Sequence, residues 1–150
     1  YMTYGDKKIG DDDLIRLPEV TAEHVGLIYA HCENDCAVTH LIERHLAEGK
    51  TGPAYHATSR PPEVEAEATN RAIMLAELAG ASICIAHVTS SGAARHVAEA
   101  RARGVSVWAE TCPQYLVLDS SVYDAVAGCE VAKFVCSPPM RDHSHVDALW

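Results

Sequence analysis

The chain has 150 residues, 48% of them apolar and 22% charged, the profile of a folded chain and not of a disordered one. Its 12 Lys and Arg stand against 21 Asp and Glu, and the net charge of −9 repels phosphate backbones, which argues against a nucleic-acid binder. No apolar run approaches the ~18 residues that a membrane helix needs, so no membrane partner is expected.

The chain begins in an aromatic, strand-like run that Tyr4 ends. Residues 26–31, a short apolar run after Gly26, predict a buried parallel strand. A helix should follow from Asn34 or Asp35, with Val38, Leu41, Ile42 and Leu46 on one face and Gly49 closing it. Residues 50–60 read as a connecting loop. Pro61 and Pro62 then open the longest helix, where Val64, Ala68, Ala72, Leu75 and Ala79 recur at helical spacing up to Gly80. Residues 83–88 form the next strand; Ser90 or Ser91 caps a helix to about Arg103, which Gly104 ends. A further strand is expected over 105–110. Phe134, Val135 and Cys136 lead into Ser137-Pro138-Pro139, which cannot continue a central strand. A last helix starts with Ser144 as N-cap and Asp147 three residues later.

This rhythm implies an α/β fold with a parallel sheet and helical crossovers. No strand is followed by GxGxxG, which disfavours a dinucleotide-binding domain. The (β/α)8 barrel is the main alternative. It needs ~250 residues, so this chain would supply about half of one. The expectation is that residues 1–150 are the central-to-C-terminal portion of a single barrel domain, cut at both ends.

Catalytic groups of such barrels sit at the C-terminal ends of strands. Two strands here end alike, in His31 and in His87. Neutral imidazoles from neighbouring strand ends can converge on one metal ion, or each can be a hydrogen-bonded, half-buried histidine. Glu33 and Glu110 stand at or just past strand ends, as partners of those histidines or as caps. Cys32, Cys36 and His40, beside His31, also invite a local zinc knuckle, against the plainer reading of thiols on the buried side of a helix. Cys112 follows a strand, but a cysteine nucleophile needs a base and an oxyanion hole that the sequence does not display. His24, His40, His45, His96, His143 and His145 fall in helical or polar stretches and read as solvated. The six cysteines have no repeating spacing, which points to free thiols in a reducing compartment and a cytoplasmic protein.

Six runs stand in order: His31-Cys32-Glu33-Asn34, Tyr55-His56-Ala57-Thr58-Ser59-Arg60-Pro61-Pro62, Glu65-Ala66-Glu67-Ala68, Ala86-His87-Val88-Thr89, Glu110-Thr111-Cys112-Pro113-Gln114-Tyr115-Leu116 and Ser137-Pro138-Pro139. Together they closely resemble the bacterial hydantoinase/dihydropyrimidinase family of cyclic amidohydrolases, over essentially the whole chain. The resemblance implies a metal-dependent (β/α)8 hydrolase that opens a hydantoin or dihydropyrimidine ring with a zinc-bound hydroxide. It implies two zinc ions per full-length subunit, bridged by a carboxylated Lys that lies outside this chain, as do the family's His-x-His pair and its Asp. His31 and His87 match the ligands of one metal. Tyr4 matches the oxyanion-stabilising, substrate-binding tyrosine, and Ser137 the substrate-contacting serine. Cys32 and Asp35-Cys36 depart from the family's usual small and Gly-containing residues without removing a ligand. The resemblance further implies a small cyclic amide as partner and a homo-oligomer, tetramer or dimer, at full length. By itself residues 1–150 should be inactive. The alternative is a non-catalytic, amidohydrolase-like interaction protein, as in metal-free animal relatives; retention of both histidines speaks against it.

Overall fold

The computed structural model describes residues 8–24, 26–126 and 128–150. Three short strands, β1 (Leu27–Ala30), β2 (Ser82–Ile85) and β3 (Val107–Ala109), form a parallel sheet in the order β1-β2-β3. The register pairs Ala30 with Ile85, and Tyr29 with Cys84 and through it Trp108. Around the sheet lie α1 (Asp11–Glu23), α2 (Asp35–Ala47), α3 (Tyr55–Thr58), α4 (Pro62–Leu78), α5 (Ser91–Ala102), α6 (Pro113–Val117) and α7 (His143–Leu149). No helix among the described residues is long and apolar enough to cross a membrane.

Local chemistry accounts for the helix starts. The Asn34 side chain accepts the Ala37 N–H and caps α2, and Ser90 does the same for Ala93 at the head of α5. Pro62 opens α4, where its missing N–H costs no intrahelical bond. On the helix side of the sheet, Ala30, Ile83, Ile85 and Val107 pack with Ala68, Ala72, Ile73 and Ala76 of α4 and Ala93, Val97 and Ala100 of α5. The small residues let α4 and α5 approach closely. A Cβ on Gly92 would stand 2.9 Å from that of Ala66, so the close approach of the two helices favours glycine at position 92. The opposite face of the sheet stays open: Leu27, Tyr29 and Trp108 are about half exposed. A second cluster, Tyr115, Tyr123, Val131 and Met140, supports the segment that carries Ser137.

The elements depart from the sequence reading at several points, among them the unassigned helical turns at Pro113–Val117 and Ser120–Tyr123. The stretch Asp11–Glu23, which the sequence reading leaves unassigned, is a helix with Pro18 inside it. The loop at 50–60 contains the single helical turn α3. Phe134 ends a 3-10 helix, Gly128–Phe134, where an extended run was expected. The cap of α7 is Asp142, whose side chain accepts the Ser144 N–H at 3.0 Å; Ser144 lies inside the first turn.

Candidate metal and substrate site

His31 leaves β1 and His87 follows β2 by two residues, so parallel pairing brings both to the same end of the sheet. Strict alternation would send His87 to the helix side with Ile83 and Ile85. Instead His87 has φ +36°, a left-handed conformation that is uncommon for a residue with a side chain. Its ring meets that of His31 edge to face, with His31 Nδ1 and His87 Nε2 3.0 Å apart.

His31 is 1% exposed and Glu33 0% exposed. His31 Nε2 lies 3.0 Å from Glu33 Oε2, which also accepts from Arg60 Nη1 at 2.7 Å. A carboxylate can only accept, so His31 carries its proton on Nε2 and presents the Nδ1 lone pair to His87. Burial pushes Glu33 toward higher pKa, but the His31 hydrogen bond and the Arg60 charge outweigh it and hold the carboxyl below its usual range. Burial, reinforced by the neighbouring His31, lowers the pKa of His87 and favours the neutral ring that binds metals.

Two nitrogens on one tetrahedral zinc ion, each about 2.05 Å away, stand about 3.3 Å apart. The 3.0 Å pair fits such a half-site after a small displacement. The carboxylate behind His31 is the usual orienting partner of a metal-binding imidazole. Among the described residues no group of three or more His, Cys, Asp or Glu side chains is placed to hold a metal. Among the same residues, Cys36 and His40 do not join His31 in a knuckle.

A buried network, invisible in the sequence, joins the histidine pair to the Ser137 segment. Glu65 of α4 accepts the Thr89 N–H at 2.7 Å, the Thr89 hydroxyl and the Ser90 N–H at 3.2 Å, just past His87. It also pairs with Arg141 Nη2 at 2.9 Å. Arg141 donates further to Thr89 Oγ1 at 2.9 Å and to the Arg60 carbonyl. Arg60 in turn reaches Glu33. Four residues upstream of Arg141, Ser137 Oγ lies 3.1 Å from His56 Nε2. The Tyr115 hydroxyl donates to the Pro138 carbonyl at 2.6 Å, and the Met140 N–H to the Tyr123 hydroxyl at 2.9 Å.

The remaining candidates separate. Tyr4 lies outside the described residues. Glu110 accepts from the Tyr29 hydroxyl on the open face and pairs by its backbone with Val88 and Ile85. The Cys112 thiol is pushed up by burial and by the Glu110 charge, the opposite of an activated nucleophile. His45, expected to be solvated, is buried and lies 3.0 Å from Thr58 Oγ1. All six cysteines are free. Sequence reasoning assigned no role to His56, Arg60, Glu65 or Arg141. The one available signal was Glu65, a carboxylate between Val64 and Ala68 on the buried stripe of α4.

No family model matches the chain. D-hydantoinase from Geobacillus stearothermophilus is 45% identical over the whole chain, which covers 32% of that protein. D-hydantoinase from Streptomyces coelicolor is 42% identical over the same span, again 32% of its length. The crystal structure of dihydropyrimidinase from Brevibacillus agri NCHU1002 superposes with a TM-score of 0.96 at 43% identity, over 99% of this chain and 32% of that one. The chain is thus homologous to about a third of proteins named D-hydantoinase and dihydropyrimidinase. It spans about a third of the length of the hydantoinases it matches. Its α/β fold is theirs over that third.

Proposed function

We propose that residues 1–150 are part of a longer hydantoinase-like enzyme that hydrolyses a cyclic amide, and that they supply part, about half by the sequence estimate, of its (β/α)8 barrel. The half-exposed Leu27, Tyr29 and Trp108 support the barrel, because they lie on the face that a closed barrel fills with side chains. The reading rests on the 3.0 Å approach of His31 Nδ1 and His87 Nε2 at adjacent strand ends, in a chain 45% identical to a D-hydantoinase.

His31 and His87 would hold one zinc ion of a pair, through Nδ1 and Nε2. When bound, zinc supplies Lewis acidity and a water that ionises near neutral pH. Glu33 fixes the tautomer and orientation of His31, and Arg60 keeps Glu33 ionised. Ser137, on a segment held by His56, Tyr115 and Arg141, would orient the ring by hydrogen bonding to its amide group. Tyr4 would donate to the ring oxygen as it gains charge. The proton for the departing nitrogen would come from a group outside this chain. The free cysteines support a cytoplasmic setting.

The test uses the longer protein. Hydantoin and dihydrouracil are assayed for ring opening, and zinc is counted by mass spectrometry in the parent, His31→Ala and His87→Ala proteins. Each variant is expected to lose about one zinc equivalent and nearly all activity. Full zinc content in both variants would remove the metal assignment, and a parent that opens neither ring would remove the activity.

A further inference from the structure

We propose that Glu110 is the counter-charge of the metal site: its carboxylate, held in place by Tyr29, stands on the barrel-interior face beside the strand of His87 and offsets the positive charge of a metal bound by the two histidines. The inference rests on the barrel and on the metal reading of His31 and His87, and gives a role to a third residue outside that pair.

The backbone places Glu110. Its N–H donates to the Ile85 carbonyl at 3.0 Å, and its own carbonyl accepts from the Val88 N–H at 2.7 Å. In a regular parallel ladder that second bond would come from residue 87, two past the first acceptor. Here it comes from residue 88, so Ala86 and His87 together face Glu110. This is a β-bulge, a device that re-aims a side chain beside an active site. It accounts for the φ of +36° at His87 and for the imidazole's escape from the alternation of Ile83 and Ile85. On the other side of β2, the Ala86 N–H donates to the Ala30 carbonyl at 2.9 Å, which sets residue 86 opposite His31. His31, the bulge and Glu110 therefore lie in one row across the sheet.

The carboxylate is turned to the open face. Tyr29 lies on that face, two residues before His31, and its hydroxyl donates to Glu110 Oε1. The phenol reaches from β1 to the end of β3, across β2 at Cys84 and Ala86, whose small side chains leave room for the ring. Two strand spacings of ~4.8 Å separate the backbones of Glu110 and His31 by about 10 Å. That is too far to share a ligand sphere and near enough for charge to act in a dry interior. Among the described residues the Glu110 carboxylate meets the Tyr29 hydroxyl and no cation. In this chain the residue is exposed. Once a barrel closes over the open face, a carboxylate with one neutral donor is costly to bury unless a positive charge stands nearby. A metal ion at the histidines, in the same row, is that charge.

The experiment uses the longer protein, with zinc alone as the probe. Zinc affinity is measured by competition with a chelator, and stability by urea unfolding of the zinc-free protein. Glu110→Gln keeps the shape and still accepts from Tyr29, but carries no charge. It should weaken zinc binding about tenfold, the lower end of what a partner outside the ligand set contributes. It should also raise the urea midpoint of the zinc-free protein, because a buried, unpaired charge has gone. Tyr29→Phe keeps the charge and removes the donor. It should lower the zinc-free midpoint and hold zinc within about threefold of the parent. A purely structural tie between β1 and β3 would not give these opposite signs. Unchanged zinc affinity in Glu110→Gln overturns the proposal, as does a zinc-free midpoint at or below the parent's. Equal weakening of zinc in both variants overturns it too, since the tie and not the charge would then be responsible. A parent that binds no zinc removes the histidine reading beneath the proposal and the proposal with it, an outcome distinct from a parent that binds zinc and a Glu110→Gln variant that binds it equally well.

Discussion

Removing either partner of the Glu65–Arg141 pair should destabilise the protein, and the two losses should be unequal in a direction the structure dictates. Both side chains are nearly fully buried, with side-chain exposures of 3% and 4%. Breaking such a pair leaves a charge unpaired inside the protein and costs about 3–5 kcal/mol. Arg141→Met leaves Glu65 its three other donors: the Thr89 N–H, the Thr89 hydroxyl and the Ser90 N–H. Glu65→Met strands the guanidinium and also orphans the two backbone N–H groups, each worth about 1–3 kcal/mol when buried without a partner. Glu65→Met should therefore be the worse variant. Adding Arg141→Met to it should restore part of the stability, because the stranded cation disappears while the two backbone N–H groups stay orphaned. Amide exchange at Thr89 and Ser90 reads this locally, alongside urea unfolding. At 1.4 kcal/mol per factor of ten, Arg141→Met should speed exchange by about 10² to 4 × 10³. A change below about tenfold with an unmoved urea midpoint would mean that the pair does not hold this end of the sheet. A double variant as unstable as the sum of the singles would mean that the two residues act independently.

The left-handed backbone at His87 predicts that His87→Gly is more stable than His87→Ala by about 1 kcal/mol in thermal or urea unfolding, although both lose the imidazole; equal stability would mean that φ +36° carries no strain. Burial pushes the Cys32 thiol up to about 12, so iodoacetamide at neutral pH should label the exposed Cys36 and Cys129 in the folded protein and spare Cys32. Since the folded thiol pKa is raised, the stability it contributes is complete below the ordinary thiol pKa and is lost as pH rises toward about 12, which unfolding measured across that window checks against Cys32→Ala. Residues 1–150 expressed alone, with zinc and bicarbonate added, should open neither hydantoin nor dihydrouracil, because two imidazoles fall short of the three or four ligands of stable zinc sites; turnover above a zinc-only blank would show that the fragment completes a site by itself.

The histidine pair was legible in the sequence because its cause is local. Each histidine follows a short apolar run, and parallel pairing carries the two strand ends together; the left-handed backbone that turns His87 off the strand's alternation was not legible. The start of α4 was legible for the same reason, since Pro62 acts on its own turn. What was not legible depends on distance along the chain. Arg141 meets Glu65 across 76 residues, and His56 meets Ser137 across 81, so neither partner announces the other. The helix Asp11–Glu23 escaped because Pro18 sits in its interior and Ile15, Leu17 and Val20 face outward, which blurs the apolar stripe. The α7 cap was displaced by two residues because Asp142 and Ser144 are both good caps, and only the fold decides between them.

The pairing of Ala30 with Ile85 has a consequence for how this segment can vary in length. The two histidines are spaced by counting residues along two strands, as notches on a pair of rulers laid side by side. One residue added between Leu27 and Ala30 would shift that count by one and turn His31 toward α4, away from His87. The same residue added near 48–54, in the exposed stretch between α2 and α3, would leave both rulers untouched. Insertions and deletions are thus free to accumulate in that connection, while β1 and β2 must keep their phase for the two nitrogens to remain within reach of one ion.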